Sequence, residues 1–363
     1  MRVADWLAVL VLCLPQAAAA QRINYRLETV ARGLEHPWSL AFLPGGSMLV
    51  TERAGRLRVI EIGGGLRPQP VAGVPAVHVA GQAGLFEVAL APDFARSRRL
   101  YLSYACGDSA ANNTCLAQAR FVGSRLEGVR TIFEAQPKKR GNAHYGGRIV
   151  FLPDGTLVLT LGDGFDYREQ AQDPGNHLGT LVRLAADGSL PGDNPFDNGV
   201  WSYGHRNVQG IVYDEASGRL IIHEHGPRGG DEINIVEPGR NYGWPVATFG
   251  VDYSGASITP YEHVPGTVAP VLQWTPSIAP SGLAIYRGEL FAQWRGDLLV
   301  GALVARAVYR VRLQADTASV QEQLFEELEE RIRDVRVGPD GAVYLLTDNA
   351  SGRVLRVLPV NAP

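Results

Sequence analysis

The chain has 363 residues, of which 45% are hydrophobic and 20% are charged, and its formal net charge is −3. This apolar content supports a packed core and excludes a wholly disordered chain. The small net charge argues against a general nucleic-acid binder. Glycine (42 residues) and proline (23 residues) are abundant, which favours a turn-rich, all-β protein over one made of long helices.

The first 20 residues have the pattern of a secretory signal peptide. Arg2 precedes an apolar run from Trp6 to Leu14, and small residues follow up to Ala20. We therefore predict cleavage near Ala20 and export to the periplasm or the exterior. Cys13 leaves a lipoprotein anchor as an alternative, although large residues precede it. No later segment is long and apolar enough to span a bilayer, so no membrane span is expected in the mature chain.

Residues 21–363 contain no linker or charge block, and we predict a single domain. A strand–turn–strand unit recurs in it, with Gly, often beside Asp or Pro, at a turn before an apolar run of strand length. Its copies begin at Leu43, Phe151, Glu215, Trp294 and Val337. Such spacing indicates a radial repeat, and blades of about 40–50 residues would give six to eight of them. Because long loops lower that number, we predict an all-β, six-bladed β-propeller.

Two cysteines remain after removal of the leader, Cys106 and Cys115, in the segment Y-A-C-G-D-S-A-A-N-N-T-C. An even number of cysteines in an exported protein favours one disulfide, here closing a short polar loop. Two free thiols are the alternative. With no C-x-x-C motif, two cysteines cannot form a cysteine-rich metal site.

The first candidate for chemistry is A-H-Y-G-G-R-I-V-F-L-P-D-G-T-L-V-L-T-L-G-D-G, residues 143–164. With Asp154-Gly155 as the turn, the numbers of paired residues would sum to about 309, which places His144 and Asp163 at the same open end of a hairpin. A carboxylate beside an imidazole fixes its tautomer and leaves the other nitrogen free as a base. The alternative is that His144 caps a strand and that Asp163 is a turn residue.

The second candidate is Y-G-H-R-N-V-Q-G, residues 203–210. Arg206 and Asn207 place a permanent cation beside an amide donor, just before an apolar strand. Such a pair can stabilise negative charge that develops on an oxygen. A surface arginine with a loop-capping asparagine is the alternative.

The third candidate is H-E-H-G-P-R-G-G-D-E-I-N-I, residues 223–235. Backbone carbonyls at Gly226 and Pro227, followed by the carboxylates of residues 231 and 232, are oxygen ligands that suit Ca²⁺. His223 and His225 would share one strand face and could bind a transition metal. No third imidazole is obviously placed to complete such a site.

The fourth candidate is R-I-R-D, residues 331–334. In a strand, Arg331 and Arg333 point to the same side and form a double cation that fits a ligand with several carboxylates or phosphates. A solvated charged strand is the alternative. The segment from Val320 to Arg333 also has acidic helical character, which a short surface turn would explain equally well.

Motifs of several other classes are absent from the sequence: a G-x-S-x-G elbow, a P-loop, H-E-x-x-H and a G-x-G-x-x-G that opens a helix. Serine hydrolases, nucleotidases, zinc proteases and Rossmann dehydrogenases therefore lack support.

As a set, the four candidates resemble the soluble quinoprotein sugar dehydrogenases, six-bladed propellers that use pyrroloquinoline quinone (PQQ) and Ca²⁺. The likeness is greater to the bacterial aldose sugar dehydrogenases than to the dedicated glucose enzymes. It runs from H-P-W-S-L-A-F-L-P, which begins at His36, to the C-terminus. The resemblance implies oxidation of aldose sugars at C1 to aldonolactones by hydride transfer to PQQ, with an external electron acceptor.

The resemblance also implies roles for residues. His144 corresponds to the catalytic base, and Asp163 to the carboxylate that orients it. The other correspondences are Gln82 beside sugar and cofactor, Trp274 near the sugar, Arg206 and Asn207 at the quinone oxygens, Gly226 and Pro227 as carbonyl ligands of the cofactor's Ca²⁺, Glu232 and Tyr242 as ligands of a second, structural Ca²⁺, and Arg331 and Arg333 at the cofactor's carboxylates.

Two positions depart from the glucose enzymes. Ala143 stands where they have an Asp before the catalytic His, which weakens the expectation of glucose preference. Val304 stands where they have a Lys that contacts the cofactor. This change removes one cation near the quinone, so we expect a lower affinity for the cofactor.

Two other functions remain open. One is a Ca²⁺-dependent propeller hydrolase, such as a lactonase, that uses Asp231 and Glu232 and needs no quinone. The other is a non-catalytic exported propeller that binds sugars or proteins. The pair of Arg331 and Arg333 favours the dehydrogenase, because hydrolysis of a neutral sugar derivative has little need of two adjacent cations.

Overall fold

The computed structural model describes residues 24–360; the predicted signal peptide, residues 1–20, lies outside them, and the domain boundary at residue 21 stays a prediction. The strands are, in chain order, β1 (Tyr25–Leu34), β2 (Pro37–Phe42), β3 (Met48–Glu52), β4 (Arg56–Ile60), β5 (Leu85–Leu90), β6 (Arg99–Gly107), β7 (Asn112–Val122), β8 (Arg125–Glu134), β9 (Ile149–Phe151), β10 (Leu157–Thr160), β11 (Thr180–Leu184), β12 (Val200–Tyr203), β13 (Val208–Asp214), β14 (Arg219–Glu224), β15 (Asp231–Val236), β16 (Leu272–Trp274), β17 (Pro280–Ile285), β18 (Leu298–Ala302), β19 (Val308–Gln314), β20 (Thr317–Leu324), β21 (Ile332–Val337), β22 (Val343–Thr347) and β23 (Gly352–Pro359). The helical segments are α1 (Phe94–Ser97) and three 3₁₀ turns (Arg168–Gln172, Ala292–Trp294 and Glu326–Leu328).

These strands form six antiparallel sheets, each of which is one blade. Blades 1 to 5 are β2–β4, β5–β8, β9–β12, β13–β16 and β17–β20, and blade 6 has the order β21-β22-β23-β1. The inner strands β2, β5, β9, β13, β17 and β21 contact one another in that cyclic order, and β21 contacts β2, which closes the ring. The predicted six-bladed β-propeller is confirmed.

The two ends of the described chain meet in blade 6. The first strand, β1, pairs with the last, β23, in a register that sets Tyr25 opposite Pro359 and Leu27 opposite Val357. Blade 6 therefore holds both ends of the chain in one hydrogen-bonded sheet, and the ring has no free seam between its first and last blades.

The recurring turn unit marks the second strand of five blades, at β3, β10, β14, β18 and β22. Blade 2 lacks it because α1 and the left-handed residue Arg98 (φ 59°) connect β5 to β6 instead. The paired residue numbers sum to 308, one less than the predicted value of about 309, since Leu157 faces Phe151 and Leu159 faces Ile149. The cause is a three-residue turn in which Gly155 (φ 83°) adopts a conformation that glycine favours.

Two smaller predictions have clear outcomes. The disulfide between Cys106 and Cys115 is present and joins β6 to β7 near the end of their hairpin. No long helix forms between Val320 and Arg333, because β20 continues to Leu324 and only the 3₁₀ turn Glu326–Leu328 follows. Among the described residues, no helix has the length and apolar character that a membrane crossing requires.

A buried ion network lies where the inner strands converge. The guanidinium of Arg148 donates to Glu87 and to Asp334, at 2.9 Å in each case, and Arg336 pairs with the same two carboxylates. The hydroxyl of Ser39 donates to Glu87 at 3.0 Å. Blades 1, 2, 3 and 6 are thus joined by charge-assisted hydrogen bonds around the buried side chains of Arg148, Glu87 and Asp334.

We predict that Arg148→Met lowers the free energy of unfolding by about 3–5 kcal/mol, because it leaves two buried carboxylates sharing a single arginine. Arg125→Met is the matched control; its pair with Glu127 is solvent-exposed, and such a pair contributes at most about 1 kcal/mol. Urea unfolding followed by circular dichroism measures both. Equal small losses in the two variants would contradict a structural role for the network.

Candidate active site

All six blades contribute to one cavity, the axial cavity. Its lining residues are Trp38, Arg53, Gln82, Phe86, Tyr145, Gly146, Asn207, Gln209, His225, Ala279, Leu303, Arg331, Arg333 and Asp348. It encloses about 720 Å³ of space, part of it open to solvent, which is within the usual range for small-molecule sites. Because its walls come from every blade, the cavity lies on the axis of the ring.

A second cavity, the side cavity, belongs to blades 3 and 4 and the loops that follow their strands. It is lined by His144, Phe165, Asp166, Arg168, Arg206, Pro227, Trp244, Asp252, Tyr253 and Ile258. His144 and Arg206 are the chain neighbours of Tyr145 and Asn207, which line the axial cavity. The two cavities therefore adjoin at these two residue pairs.

His144 and Asp163 form a buried dyad. The Nδ1 atom of His144 lies 2.6 Å from Oδ1 of Asp163, and the indole Nε1 of Trp244 donates to the other carboxylate oxygen at 2.8 Å. The backbone N–H of His144 donates to Oε1 of Gln82 at 2.9 Å. These bonds fix the imidazole ring and leave Nε2 as the atom that can accept a proton from a ligand.

The local backbone explains why this histidine stands where it does. His144 has a φ of 53°, in the left-handed region that only a few non-glycine residues adopt. Gly162 passes directly beneath it, and a Cβ at that position would lie 2.3 Å from the His144 carbonyl oxygen. The close approach of these two backbone segments therefore requires a glycine at 162.

The environment keeps the base neutral and its partner charged. Burial lowers the pKa of His144 and outweighs the hydrogen bond and the negative charge of Asp163, which raise it. Burial raises the pKa of Asp163, but the bond from His144 and the charges of His144 and Arg206 outweigh it, so that the pKa falls below its usual range. At neutral pH the dyad is therefore a neutral imidazole beside a carboxylate.

Arg206 and Asn207 precede β13 and sit at the boundary of the two cavities. Nη1 of Arg206 donates a hydrogen bond to the Gly226 carbonyl oxygen at 2.6 Å, and Nη2 lies 3.3 Å from the Tyr253 hydroxyl oxygen. The Nε atom of Arg206 is buried without a hydrogen-bond partner. Oδ1 of Asn207 accepts the N–H of Gly146 at 3.1 Å, so the amide NH₂ faces away from that bond.

The loop from Gly226 to Gly230 concentrates backbone oxygens. A Cβ added at Gly226 would lie 2.3 Å from the carbonyl oxygens of both Gly229 and Gly230. The carboxylate of Asp231 organises the loop by accepting hydrogen bonds from the Gly226 and Ile278 N–H groups and the Ser277 hydroxyl, among others. The Asp231 carboxylate thus serves to hold the loop, and of the two carboxylates named for the hydrolase alternative only Glu232 lacks such a role.

Glu232 faces Glu224 directly across β14 and β15. Burial, with the adjacent Glu224 carboxylate as the second cause, raises the pKa of Glu232 to about 8. Both oxygens of Glu224 already accept bonds, from His205 and from the Arg206 N–H. The Tyr242 hydroxyl is committed as well, since it donates to the Ile235 carbonyl and accepts the Glu237 N–H at 2.8 Å each.

Arg331 and Arg333 meet at the wall of the axial cavity that blade 6 supplies. Arg333 pairs with Asp348 at 2.6 Å, whereas Nε of Arg331 is 3.7 Å from the same carboxylate. The Arg331 side chain remains 44% exposed. With Arg53 on the same cavity, three cations face one carboxylate, so the cavity has an excess of positive charge.

The structure does not bring Trp274 to either cavity. Trp274 ends β16, opposite Asp231, and its ring is buried edge-on against Tyr309. The next residues, Thr275 and Pro276, turn outward and line an apolar groove that also includes Val304. Trp274 therefore belongs to the core between blades 4 and 5, and its position gives no support to a role near the sugar.

The metal alternative at the histidine pair gains no support. Nε2 of His225 lies 2.6 Å from the Pro280 carbonyl oxygen, and both nitrogens of His223 are buried without partners. Among the described residues, the one group of three clustered His, Cys, Asp or Glu ligands is Cys106, Cys115 and Glu134, whose cysteines are joined as a disulfide.

Several site residues were not predicted from the sequence. Trp244, which binds Asp163, lies in G-W-P, a segment that reads as a turn. Phe165 and Tyr253 stack at 6.2 Å, and Phe165 also packs edge-on against His144 at 5.0 Å. Their exposure and aromatic character become meaningful only when the fold sets them beside the dyad.

The fold and its central cavity define the class: a six-bladed propeller with a buried His–Asp dyad at the edge of a cationic cavity. The profile of the Glucose / Sorbosone dehydrogenase family matches residues 34–356, and the chain belongs to that family.

Individual relatives of the chain are consistent with this family membership. The chain is 44% identical to the aldose sugar dehydrogenase YliI of Escherichia coli (strain K12), over 96% of this chain and 97% of that protein. The crystal structure of the apo-form of the E. coli soluble aldose sugar dehydrogenase has a TM-score of 0.89, with 93% of this chain and 100% of that chain covered. The PQQ-bound aldose sugar dehydrogenase of Streptomyces coelicolor has a TM-score of 0.75 at 31% identity, with 93% and 100% covered. Sugar oxidation is the activity that these relatives support.

We predict that Asp163→Asn lowers the pKa of His144 further, because it removes the negative charge that opposes the effect of burial. The Cε1 proton resonance of His144, assigned with a His144→Gln variant, reports this pKa by NMR in the protein without added ligands. His177, whose ring contacts the Asn198 carbonyl instead, is the internal control and should titrate as before. An unchanged or higher pKa of His144 would contradict the dyad.

Proposed function

We propose that the chain is a PQQ-dependent aldose dehydrogenase that oxidises the sugar C1 to an aldonolactone and passes the electrons to an external acceptor. The observation that carries the proposal is the position of His144, a neutral base held by Asp163 where the side cavity meets the cationic axial cavity. Export to the periplasm or the exterior is part of the proposal and depends on the leader over residues 1–20.

The axial cavity fits a tricarboxylated quinone. Arg331 has guanidinium donors beyond its weak contacts with Leu303 and Asp348, and Arg333 lies beside it. The amides of Gln82 and Asn207 add neutral donors to the same walls, whereas the Gln209 amide already donates to the Gly146 carbonyl and to Asn207. Cations that can bind carboxylates in a bidentate manner, together with amide donors for quinone oxygens, are the groups such a ligand needs.

Calcium fits the backbone oxygens of the 226–230 loop, because Ca²⁺ prefers hard oxygen ligands. The Gly226 carbonyl already accepts a bond from Arg206, yet an oxygen with two lone pairs can accept a second partner. Pro227 lines the side cavity and would supply the adjacent carbonyl. A second cation fits beside Glu232, whose burial against Glu224 favours either a proton or a positive ion.

The chain's own residues then have defined roles. PQQ, when bound, supplies the two-electron acceptor for the hydride of C1. Nε2 of His144 accepts the proton of the anomeric hydroxyl, and Asp163 stabilises the imidazolium that forms. The side-chain oxygen of Gln82 accepts the backbone N–H of His144 and so holds the loop that carries the histidine. Arg206 places a fixed positive charge at the boundary of the two cavities, where negative charge on an oxygen would be stabilised.

The two departures from the glucose enzymes bear on specificity. Val304 is 61% exposed in the apolar groove beside the site and supplies no cation to a bound quinone. Ala143 offers no carboxylate for a sugar hydroxyl next to His144. We therefore propose a broad aldose substrate class, without a carboxylate at position 143 to select glucose.

The proposal predicts that added PQQ and Ca²⁺ together confer aldose-dependent reduction of an artificial electron dye on the apo-protein. Each addition alone should give little reduction, because the proposed reaction requires both the quinone in the cationic cavity and the cation at the loop oxygens. Hydrolysis of an aldonolactone without the quinone would instead support a lactonase. Sugar binding with neither activity would support a non-catalytic propeller.

His144→Ala should lower the turnover number by about 10²–10⁴-fold, the usual contribution of a general base, while PQQ binding measured by its absorbance is retained. His263→Ala is the control; His263 is exposed and contacts Thr267, so its loss should leave turnover unchanged. Near-normal turnover in His144→Ala would remove this histidine from the mechanism.

A further inference from the structure

The chain contains only two lysines, Lys138 and Lys139, and otherwise uses arginine for its positive side chains. Lys138 is exposed and pairs with Glu134 at 2.8 Å. Lys139 is 1% exposed. A buried ammonium is costly unless it is paired, so the location of Lys139 requires a reason.

The contacts of Lys139 are with neutral groups. Its Nζ atom lies 3.4 Å from Oδ1 of Asn112, 3.3 Å from the Gly141 carbonyl oxygen, and 3.9 Å from the centre of the Tyr145 ring. Among the described residues it forms no ion pair. This cation is therefore not neutralised by a direct partner, and its field extends to the neighbouring groups.

Two residues in contact with Lys139 are chain neighbours of the dyad residues. Tyr145 follows His144 in the chain, and the stem of Lys139 packs against Gly164, the residue after Asp163. A Cβ at Gly164 would lie 2.5 Å from Cδ of Lys139. The backbone of Lys139 is itself anchored by two hydrogen bonds with Asn112, at 2.8 and 2.9 Å. Lys139 thus sits at the junction of the two loops that carry the base and its carboxylate.

We propose that Lys139 is a positioning residue of the dyad, whose buried ammonium adds to the effect of burial in keeping the His144 imidazole in its neutral, proton-accepting form and whose stem holds the turn after Asp163. The role rests on the function proposed for His144, although the first test below does not require catalysis. A positive charge that is fixed near His144 and has no salt bridge of its own disfavours protonation of the imidazole. It thereby offsets the effect of Asp163, which favours protonation.

The charges around both groups are consistent with this role. The charged groups near His144 are Asp163, Arg206 and Lys139, together with Asp166, Arg168 and Asp252 on the side cavity. The anions near Lys139 are Asp163 and Asp166. Burial lowers the pKa of Lys139 to about 8, so the ammonium is largely charged at neutral pH, where it opposes protonation of His144.

The test compares Lys139→Met with Lys138→Met, which removes the same charge one residue away but from a solvated position. NMR titration of His144 in the protein without PQQ should show its pKa raised by about half a unit or more in Lys139→Met, since a nearby positive charge is lost. Lys138→Met should leave it unchanged, and Lys139→Arg, which keeps a charge, should restore it. Equal titration of His144 in the two Met variants would overturn the proposal.

A purely structural role predicts a different outcome. If Lys139 only anchored its loop, Lys139→Met would lower the melting temperature and leave the titration of His144 in the folded fraction unchanged. The proposal predicts the reverse, a melting temperature that is unchanged or higher, because a buried charge is replaced by an apolar side chain of similar length. Should the Met variant fail to fold, Lys139→Gln serves for the same comparison.

Kinetics of the reconstituted enzyme separate this proposal from the proposed function. The acid limb of kcat/KM should move to higher pH in Lys139→Met by the same amount as the NMR titration of His144. A shift in the NMR titration without a shift in the acid limb would leave Lys139 as a positioning residue and remove His144 as the base. No shift in either would overturn the role of Lys139 alone.

Discussion

The guanidinium of Arg148 is the group on which the site depends, because one buried cation joins the axis of the ring to the walls of the cavity. It pairs with Glu87 and Asp334, and it lies 4.0 Å from the centre of the Trp38 ring. It also donates to the backbone carbonyls of Gln209 at 2.8 Å and Arg333 at 3.2 Å. Trp38, Gln209 and Arg333 all line the axial cavity.

A ring of six blades needs such a connection. Each inner strand brings buried polar backbone groups close to the axis, and those groups must find partners in neighbouring blades. The hydroxyl of Ser281 donates to the Ile332 carbonyl at 2.6 Å, and the N–H of Leu40 donates to Asp334 at 3.2 Å. The polar contacts that close the ring therefore also hold the hydrogen-bond donors of the axial cavity in place.

Much of the fold could be predicted from the sequence because its turns repeat. Glycine, often with Asp or Pro, before an apolar run marks five of the second strands, and only α1 in blade 2 breaks the pattern. The dyad was also predictable, since His144 and Asp163 flank a single hairpin and the family resemblance indicated the same pair. Their separation of 2.6 Å brings them together as expected.

The remaining features depend on long-range packing. Arg148 follows two glycines and reads as the start of a strand, and nothing local indicates partners in blades 2 and 6. Trp274 was expected near the sugar, but its ring packs against Tyr309 in the core, and the residue that follows, Thr275, lines the apolar groove. Burial of Lys139 could not be predicted beside an exposed Lys138, because adjacent identical residues differ only in the tertiary contacts of their side chains.

The most direct test of the account is a crystal structure of this chain grown with PQQ and Ca²⁺. The account predicts the quinone in the axial cavity, with its carboxylates bound by Arg331 and Arg333 and its quinone oxygens near Arg206 and Asn207, within reach of a sugar at His144. A quinone bound in the apolar groove at Val304, or outside the ring, would contradict it.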